Sequence, residues 1–342
     1  MQSKYFLFSL YCVMVFLVPP VEGKIVFSGK IPEEGILLDI YVMDDDGSNL
    51  QKLTDTPQHE SRPVWSPDGK HIAFSRHMTP IGVWPELEHI FLMDADGGHE
   101  RQLTEVNGTD FYPIFLPDGK FLSFLRHERN QHGEIKKNQD GDIGALHTIN
   151  LENGDTEILI DANVHNPDWS PDGRTIVFGR GGDIYTMTPT GNDVNRLLPR
   201  LAVAVGTAWH RTDPTWSPDG RSILYIETIY TRDFGGFVAI SSTVYLYDVA
   251  SRGPTRVPIP KGWRIQSVDW MGDDKTFAFA ADEVGIKNQT QNYNIYRYHI
   301  PSKTRTQLTH LPGANYSVDW VRGPLEISQE NKKVTQWGEV KK

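Results

Sequence analysis

The amino-acid sequence predicts an all-β fold, a six-bladed β-propeller with four antiparallel strands in each blade. An aromatic anchor recurs six times, at spacings of 47 to 54 residues. A Pro-Asp-Gly turn follows four of these anchors, and strand-like alternation fills the intervals without a useful stretch of helical periodicity. Repeats of this length, each carrying four short strands, are typical of propeller blades.

The anchor is tryptophan in five repeats and phenylalanine in one. The anchors are Trp65, Phe115, Trp169, Trp216, Trp270 and Trp320. A large aromatic side chain at one position of every repeat is expected to fill the space between neighbouring blades.

A turn of the form Ser-Pro-Asp-Gly follows the first four anchors, with Leu116 replacing serine in the second. Proline presets φ, aspartate accepts hydrogen bonds from the local backbone, and glycine takes the positive φ that reverses the chain. We therefore expect each turn to join the anchor strand to an antiparallel second strand. The turn residues that carry this prediction are Asp68, Gly69, Asp118, Gly119, Asp172, Gly173, Asp219 and Gly220.

The remaining strands follow in a constant order. The second strand alternates, as in Ile72-Ala73-Phe74, the third has an aromatic or apolar centre, as in 39–43, and the fourth ends near Leu53-Thr54 or its equivalents. Between the second and third strands some repeats carry long segments, and 226–243 is predicted to be an irregular loop.

The two chain ends each hold an incomplete repeat. Residues 24–28 have the form of a second strand without a preceding anchor strand, whereas 317–320 form an anchor strand without a second strand. The C-terminal strand is therefore predicted to lie innermost beside the N-terminal strands, which closes the ring and leaves only short outer edges.

The N-terminal segment has the features of a secretory signal peptide. Lys4 precedes an apolar run over 5–18, and small residues near Gly23 suit cleavage before Lys24. An uncleaved anchor is the alternative. The predicted boundaries are residues 1–23 for the signal peptide, 24–323 for the propeller and 324–342 for a C-terminal tail. These features predict a secreted or periplasmic protein with no membrane span after cleavage.

Composition and motifs exclude several classes of function. Lys and Arg number 34 against 44 Asp and Glu, a net charge of −10, which argues against nucleic acid and basic membrane contacts. The one cysteine, Cys12, lies in the predicted signal peptide, so a thiolate site is not expected. The sequence contains no G-x-S-x-G, H-E-x-x-H, P-loop or G-x-G-x-x-G motif. No catalytic residue, metal or cofactor is therefore predicted.

The candidate site is the mouth of the central channel, on the face opposite the Pro-Asp-Gly turns. The two positions that lie three and four residues before each anchor are predicted to converge there, together with a histidine from a blade connection. The candidate binding residues are Arg62, Tyr112, His165, Asn166, His210, Asp213, Gln266 and Tyr316. They form either a pocket for a ligand or a set of strand caps that hold channel water.

The repeat resembles the WD-related, PDG-turn repeats of the TolB family, and it is similar to those in the propellers of prolyl oligopeptidase and dipeptidyl peptidase relatives. The resemblance covers 24–323 and implies a fold, not a function, because propellers have many roles. TolB has an additional N-terminal α/β domain that has no counterpart here. Docking to the peptidoglycan-associated lipoprotein is therefore not carried over.

The sequence thus favours a non-enzymatic binding or scaffolding propeller, a monomer that holds a protein, peptide or carbohydrate partner at the channel mouth. One alternative is a propeller enzyme, a polysaccharide lyase or hydrolase that uses Arg62, Tyr112, His165, His210 or Asp213. The other is a regulatory propeller that works with a separate peptidase.

Overall fold

The computed structural model consists of six four-stranded antiparallel sheets arranged as the blades of a propeller. The structure describes residues 23–30, 37–79, 87–105, 108–129, 134, 144–161, 164–200, 206–233, 236–288, 291–311 and 313–322. The predicted tail and all of the predicted signal peptide except Gly23 lie outside these residues. Gly23 is the first residue of a strand, one position before the predicted domain boundary.

Each blade contributes strands in chain order, and the predicted fold class is confirmed. The strands are β1 (Gly23–Lys30), β2 (Asp39–Asp44), β3 (Gln51–Lys52), β4 (Glu60–Trp65), β5 (His71–His77), β6 (Glu88–Asp94), β7 (Arg101–Gln102), β8 (Gly108–Phe115), β9 (Phe121–Glu128), β10 (Ala145–Asn150), β11 (Thr156–Ile160), β12 (His165–Trp169), β13 (Ile176–Arg180), β14 (Asp183–Met187), β15 (Asn195–Arg196), β16 (Thr207–Trp216), β17 (Ser222–Asp233), β18 (Gly236–Asp248), β19 (Gly253–Arg256), β20 (Arg264–Trp270), β21 (Thr276–Asp282), β22 (Asn294–His299), β23 (Thr304–Gln307) and β24 (Ala314–Arg322), with one short helix, α1 (Gly285–Asn288).

Blade I has the order β24-β1-β2-β3, and blades II to VI each consist of four consecutive strands from β4 to β23. The C-terminal strand β24 therefore completes the blade that begins at the N-terminus, as predicted. Its register with β1 places Ile25 opposite Trp320 and Lys24 opposite Val321.

The cores lie between blades, and the anchors fill them. Trp65, Trp169 and Trp270 are buried, whereas Trp216 and Trp320 are partly buried. Trp169 of blade IV packs with Leu125 and Leu146 of blade III, and its indole Nε1 donates a hydrogen bond to Ser123 Oγ at 3.0 Å. The aromatic anchor thus joins two blades by both apolar contact and a polar bond.

The Pro-Asp-Gly turns have the predicted geometry. In the third, Gly173 has a φ of 69°, its N–H donates to Ser170 O at 2.8 Å, and Asp172 Oδ1 accepts from Arg174 N at 3.1 Å. The other three turns make the same glycine-to-carbonyl bond and have φ values of 68° to 70°. These contacts satisfy the local backbone and fix the hairpin.

The prediction of an irregular loop over 226–243 is wrong for most of its length. Strands β17 and β18 continue to Asp233 and from Gly236, so blade V extends as a hairpin beyond the other blades. The segment is rich in β-branched and aromatic residues, which favour strands over loops. Phe237 and Ile240 are exposed on the extension.

Helical structure is minimal in the described part of the chain, where α1 has four residues. No helix there is long and apolar enough to cross a membrane.

Candidate functional site

A β-bulge in the innermost strand of every blade shapes the channel mouth. In blade II, the pairing of β4 with β5 jumps between Ser61 and Val64, so the inner strand holds one extra residue. Corresponding jumps occur in the other five blades. A bulge re-aims a side chain and interrupts strand pairing, which turns the same strand position toward the channel in each blade.

The bulged residues have an unusual backbone conformation. In five blades the residue has a left-handed φ of 44° to 56°, although none of the five is glycine. These residues are Arg62, Tyr112, Asn166, Asp213 and Ser317. Proline follows the first four of them, and proline is tolerated in sheets at bulges because it donates no ladder hydrogen bond. Left-handed non-glycine residues are strained and cluster at functional sites.

The bulges surround a cavity of about 350 Å³ at the channel mouth. Six of the eight predicted site residues line it, namely Arg62, Tyr112, Asn166, Asp213, Gln266 and Tyr316. The other two are exposed and are not part of the lining: His165 is the first residue of β12, and the His210 ring packs edge-on against Tyr230 at 5.5 Å. In the described part of the chain, no group of three or more His, Cys, Asp or Glu side chains is arranged to hold a metal ion.

Several cavity residues connect adjacent blades, because inner-strand N–H groups that face the channel lack a strand partner. Asp213 Oδ2 accepts from Val268 N at 2.7 Å, and Asp213 Oδ1 accepts from Asn166 Nδ2 at 3.1 Å. Ser267 Oγ accepts from Ser317 N at 3.0 Å. Asp213 and Ser267 satisfy part-buried backbone donors, so these two side chains fit the strand-capping interpretation of the sequence.

Arg62 differs from these capping residues. Its own N–H donates to Ser28 Oγ at 3.1 Å, but its guanidinium lies over the Tyr112 ring at 4.0 Å from the ring centroid. Burial opposes the charge of Arg62, yet Tyr112 and Glu88 outweigh burial and raise its pKa above the ordinary value. The mouth therefore contains a permanent positive charge, and about one third of the Arg62 side chain is exposed to solvent.

A histidine-carboxylate group lies beside Arg62. Glu88 Oε1 is 2.5 Å from His77 Nε2, and Glu88 Oε2 is 3.9 Å from Arg62 Nη1. Burial alone would raise the pKa of Glu88, but His77 and Arg62 hold it below its ordinary value. Burial and the neighbouring His77 lower the pKa of His59 to about 4, so this imidazole is neutral and accepts from Leu38 N at 3.2 Å.

Three aspartates line the deeper part of the cavity, each one residue before a tryptophan anchor: Asp168, Asp269 and Asp319. Burial raises the pKa of Asp168 to about 7 and that of Asp319 to about 6. Burial and the neighbouring Asp319 raise the pKa of Asp269 well above its ordinary value. Asp168 and Asp319 each accept the anchor N–H of another blade, at 2.7 and 2.5 Å. These carboxyl groups therefore keep their protons to higher pH than exposed aspartates do.

The sequence predictions missed the acids and histidines just described. The three aspartates share one repeat position, and their alignment with the anchors was a usable signal. The group formed by His59, His77 and Glu88 had no such signal, because these residues come together only through the pairing of β5 with its neighbours.

The fold and the cavity define the class: a six-bladed β-propeller with a polar pocket at one end of its channel. No family model matches the sequence, and no curated protein matches it. Solved structures do match, and they show that the chain has a TolB-like propeller fold.

TolB from Acinetobacter baumannii superposes with a TM-score of 0.63 at 18% identity, over 87% of this chain and 66% of that chain. A putative TolB from Agrobacterium tumefaciens gives 0.55 at 15% identity, over 86% of this chain and 91% of that chain. An oligogalacturonate lyase in complex with manganese gives 0.52 at 13% identity, over 83% and 73%. This chain thus spans just under two thirds of the length of the Acinetobacter protein. At these identities the likeness concerns the fold alone.

Proposed function

We propose that this chain is a binding propeller that receives a segment of a partner or a ligand at the channel mouth and performs no catalysis. The observation that carries the proposal is the left-handed, non-glycine bulge at the same position of five blades, which turns five different side chains into one cavity. Strain repeated around a pocket indicates selection for the pocket. The TolB-like fold supports the same role.

The proposal includes a location and an assembly state. The signal-like N-terminus and the acidic composition support a secreted or periplasmic monomer. The partner is a protein, peptide or carbohydrate and not a nucleic acid, because a net charge of −10 repels a phosphate backbone.

The test is recovery of a partner by pull-down from the extracellular or periplasmic fraction of the source, followed by repetition with variants. Arg62→Ala combined with Tyr112→Ala alters the mouth, and we expect it to abolish recovery while the circular dichroism spectrum is unchanged. Lys70→Ala combined with Arg174→Ala is the control, because both side chains are exposed on the turn face. Loss of the partner with the turn-face variant alone would contradict the proposal.

One observation favours a second candidate, a propeller enzyme. The His77 and Glu88 pair inside the cavity has the geometry of a general acid and base. A propeller lyase also shares the fold. Turnover of a glycan or peptide by the parent protein, lost in His77→Gln, would favour the enzyme over the binding propeller. Turnover that requires an added peptidase would favour a regulatory propeller.

A further inference from the structure

The guanidinium of Arg62 contacts Tyr112 and Glu88 but caps no backbone group of the ring. The capping side chains Asp213 of blade V and Ser267 of blade VI each hold a backbone N–H of the ring, whereas Arg62 contributes only its backbone N–H to the ring. The acid against it, Glu88, is 3.9 Å from Nη1, beyond hydrogen-bond distance, and the other oxygen of Glu88 faces His77. Tyr112 also contributes a side-chain hydrogen bond to Arg62, and the N–H donors that Tyr112 does not engage are available to a ligand in the cavity.

Two tyrosines flank this cation. Tyr112 lies on blade III and Tyr316 on blade I, on either side of Arg62 on blade II, and both line the cavity. The Tyr112 ring supports the guanidinium by a cation–π contact. Burial raises the pKa of Tyr316, so its hydroxyl keeps its proton and can donate. One wall of the mouth thus presents a fixed cation between two phenol groups.

The structure assigns this wall as a receptor for a carboxylate, the free C-terminal carboxylate of a peptide; this inference rests on the proposed binding function. A planar guanidinium pairs with a carboxylate through two parallel hydrogen bonds, and phenol hydroxyl groups can donate further hydrogen bonds to the carboxylate oxygens. A chain end fits because it enters a cavity end first, whereas an internal acidic residue has chain on both sides.

Glu88 gives the inference a second, opposite prediction. Its Oε2 faces Arg62 and would lie near the incoming carboxylate, so it opposes binding by like-charge repulsion. Replacing Glu88 by glutamine therefore strengthens carboxylate binding, whereas replacing Arg62 by glutamine weakens it.

The experiment is isothermal titration at neutral pH and low salt with two probes, acetyl-trialanine with a free C-terminus and the same peptide as its C-terminal amide. We expect the acid to bind about tenfold or more tightly than the amide, as a charge-assisted pair predicts. Arg62→Gln should remove this preference, Arg62→Lys should retain part of it, and Glu88→Gln should increase it. Lys70→Gln, on the exposed turn face, should leave it unchanged.

Equal binding of acid and amide, failure of the acid to bind at millimolar concentration, or a preference that survives Arg62→Gln would each overturn the inference. Glucuronate and glucose form the second probe pair. A preference for glucuronate in the absence of peptide binding would overturn the assignment to a peptide end. The protein could show no preference for the carboxylate probes and yet lose a pull-down partner in the Arg62→Ala and Tyr112→Ala variant. That result would support the proposed binding function and reject only this inference.

Discussion

The indole hydrogen bond between blades III and IV gives a quantitative test of how the ring holds together. Trp169 is 7% exposed, and its Nε1 donates to Ser123 Oγ at 3.0 Å, while Ser123 is fully buried and also donates to Ile114 O at 3.3 Å. The perturbations are Trp169→Ala, Trp169→Phe and Ser123→Ala, together with the Trp169→Phe and Ser123→Ala double variant.

The magnitudes follow from these contacts. Trp169→Ala opens a cavity between two blades and should cost about 3–5 kcal/mol of unfolding free energy. Ser123→Ala leaves the indole N–H buried without its acceptor, which costs about 1–3 kcal/mol. The double variant removes both partners of the bond, so we expect it to cost about 1 kcal/mol less than the sum of the single variants.

The assay is urea unfolding followed by far-UV circular dichroism, because the nine tryptophans of the chain would mix the fluorescence signal. Trp216→Phe is the matched control. The Trp216 indole nitrogen is buried and makes no hydrogen bond within the described residues, so its removal should cost less than Trp169→Phe. Additive costs for Trp169→Phe and Ser123→Ala would refute the inter-blade bond.

Three further predictions concern the turns, ring closure and the buried aspartates of the channel. Gly173→Ala should cost about 1 kcal/mol, since φ is 69° and the nearest atom is 4.0 Å from the added Cβ. Gly272→Ala should cost more in urea unfolding, because its Cβ would lie 2.0 Å from the Trp320 ring; equal costs would be inconsistent with this packing. Truncation after Thr309 should abolish the cooperative thermal transition by removing β24, whereas removal of the C-terminal tail alone should preserve it. Asp168 has a pKa of about 7 against about 3.9 when unfolded, so the native state binds more protons between these values and loses stability as pH rises. In urea titrations from pH 4 to pH 8, Asp168→Asn should reduce the loss of unfolding free energy as pH rises. An unchanged pH dependence would reject the raised pKa of Asp168.

The fold was predictable because its determinants repeat. A turn that contains glycine at positive φ recurs in four blades, and each copy predicts the same hairpin. An error in interpreting one copy therefore does not change the predicted fold. Phe115 could be recognised as an anchor only because the neighbouring repeats fixed its position. Ring closure followed from matching the two incomplete ends, 24–28 and 317–320.

The candidate site was predictable only in part. Counting back from the anchors identified Arg62 and its equivalents, because a constant offset along a strand gives a constant place in the ring. His165 was predicted from the same count and His210 from a blade connection, and neither approach gives the height of a side chain above the cavity, so both residues lie outside the lining. Glu88 reaches the cavity through strand register and local rotamer, which a repeat pattern does not encode.

The hairpin extension of blade V was missed for another reason. A long interval between predicted strands resembles a loop when only its length is considered. Its β-branched and aromatic residues instead indicate strands. In the structure, β17 pairs with β18 as far as Asp233 and Gly236.

Closure of blade I by strands from both ends of the chain also sets the order in which the protein can be built. Strands β1 to β3 leave the ribosome first, but their inner partner β24 is made last. Until Ala314–Arg322 has been synthesised, the first blade presents an unpaired inner edge, and such edges recruit strands from other chains. The ring can therefore reach its final form only after β24 has been synthesised. A chaperone that covers the open edge until β24 has been made would protect the incomplete ring from pairing with other chains.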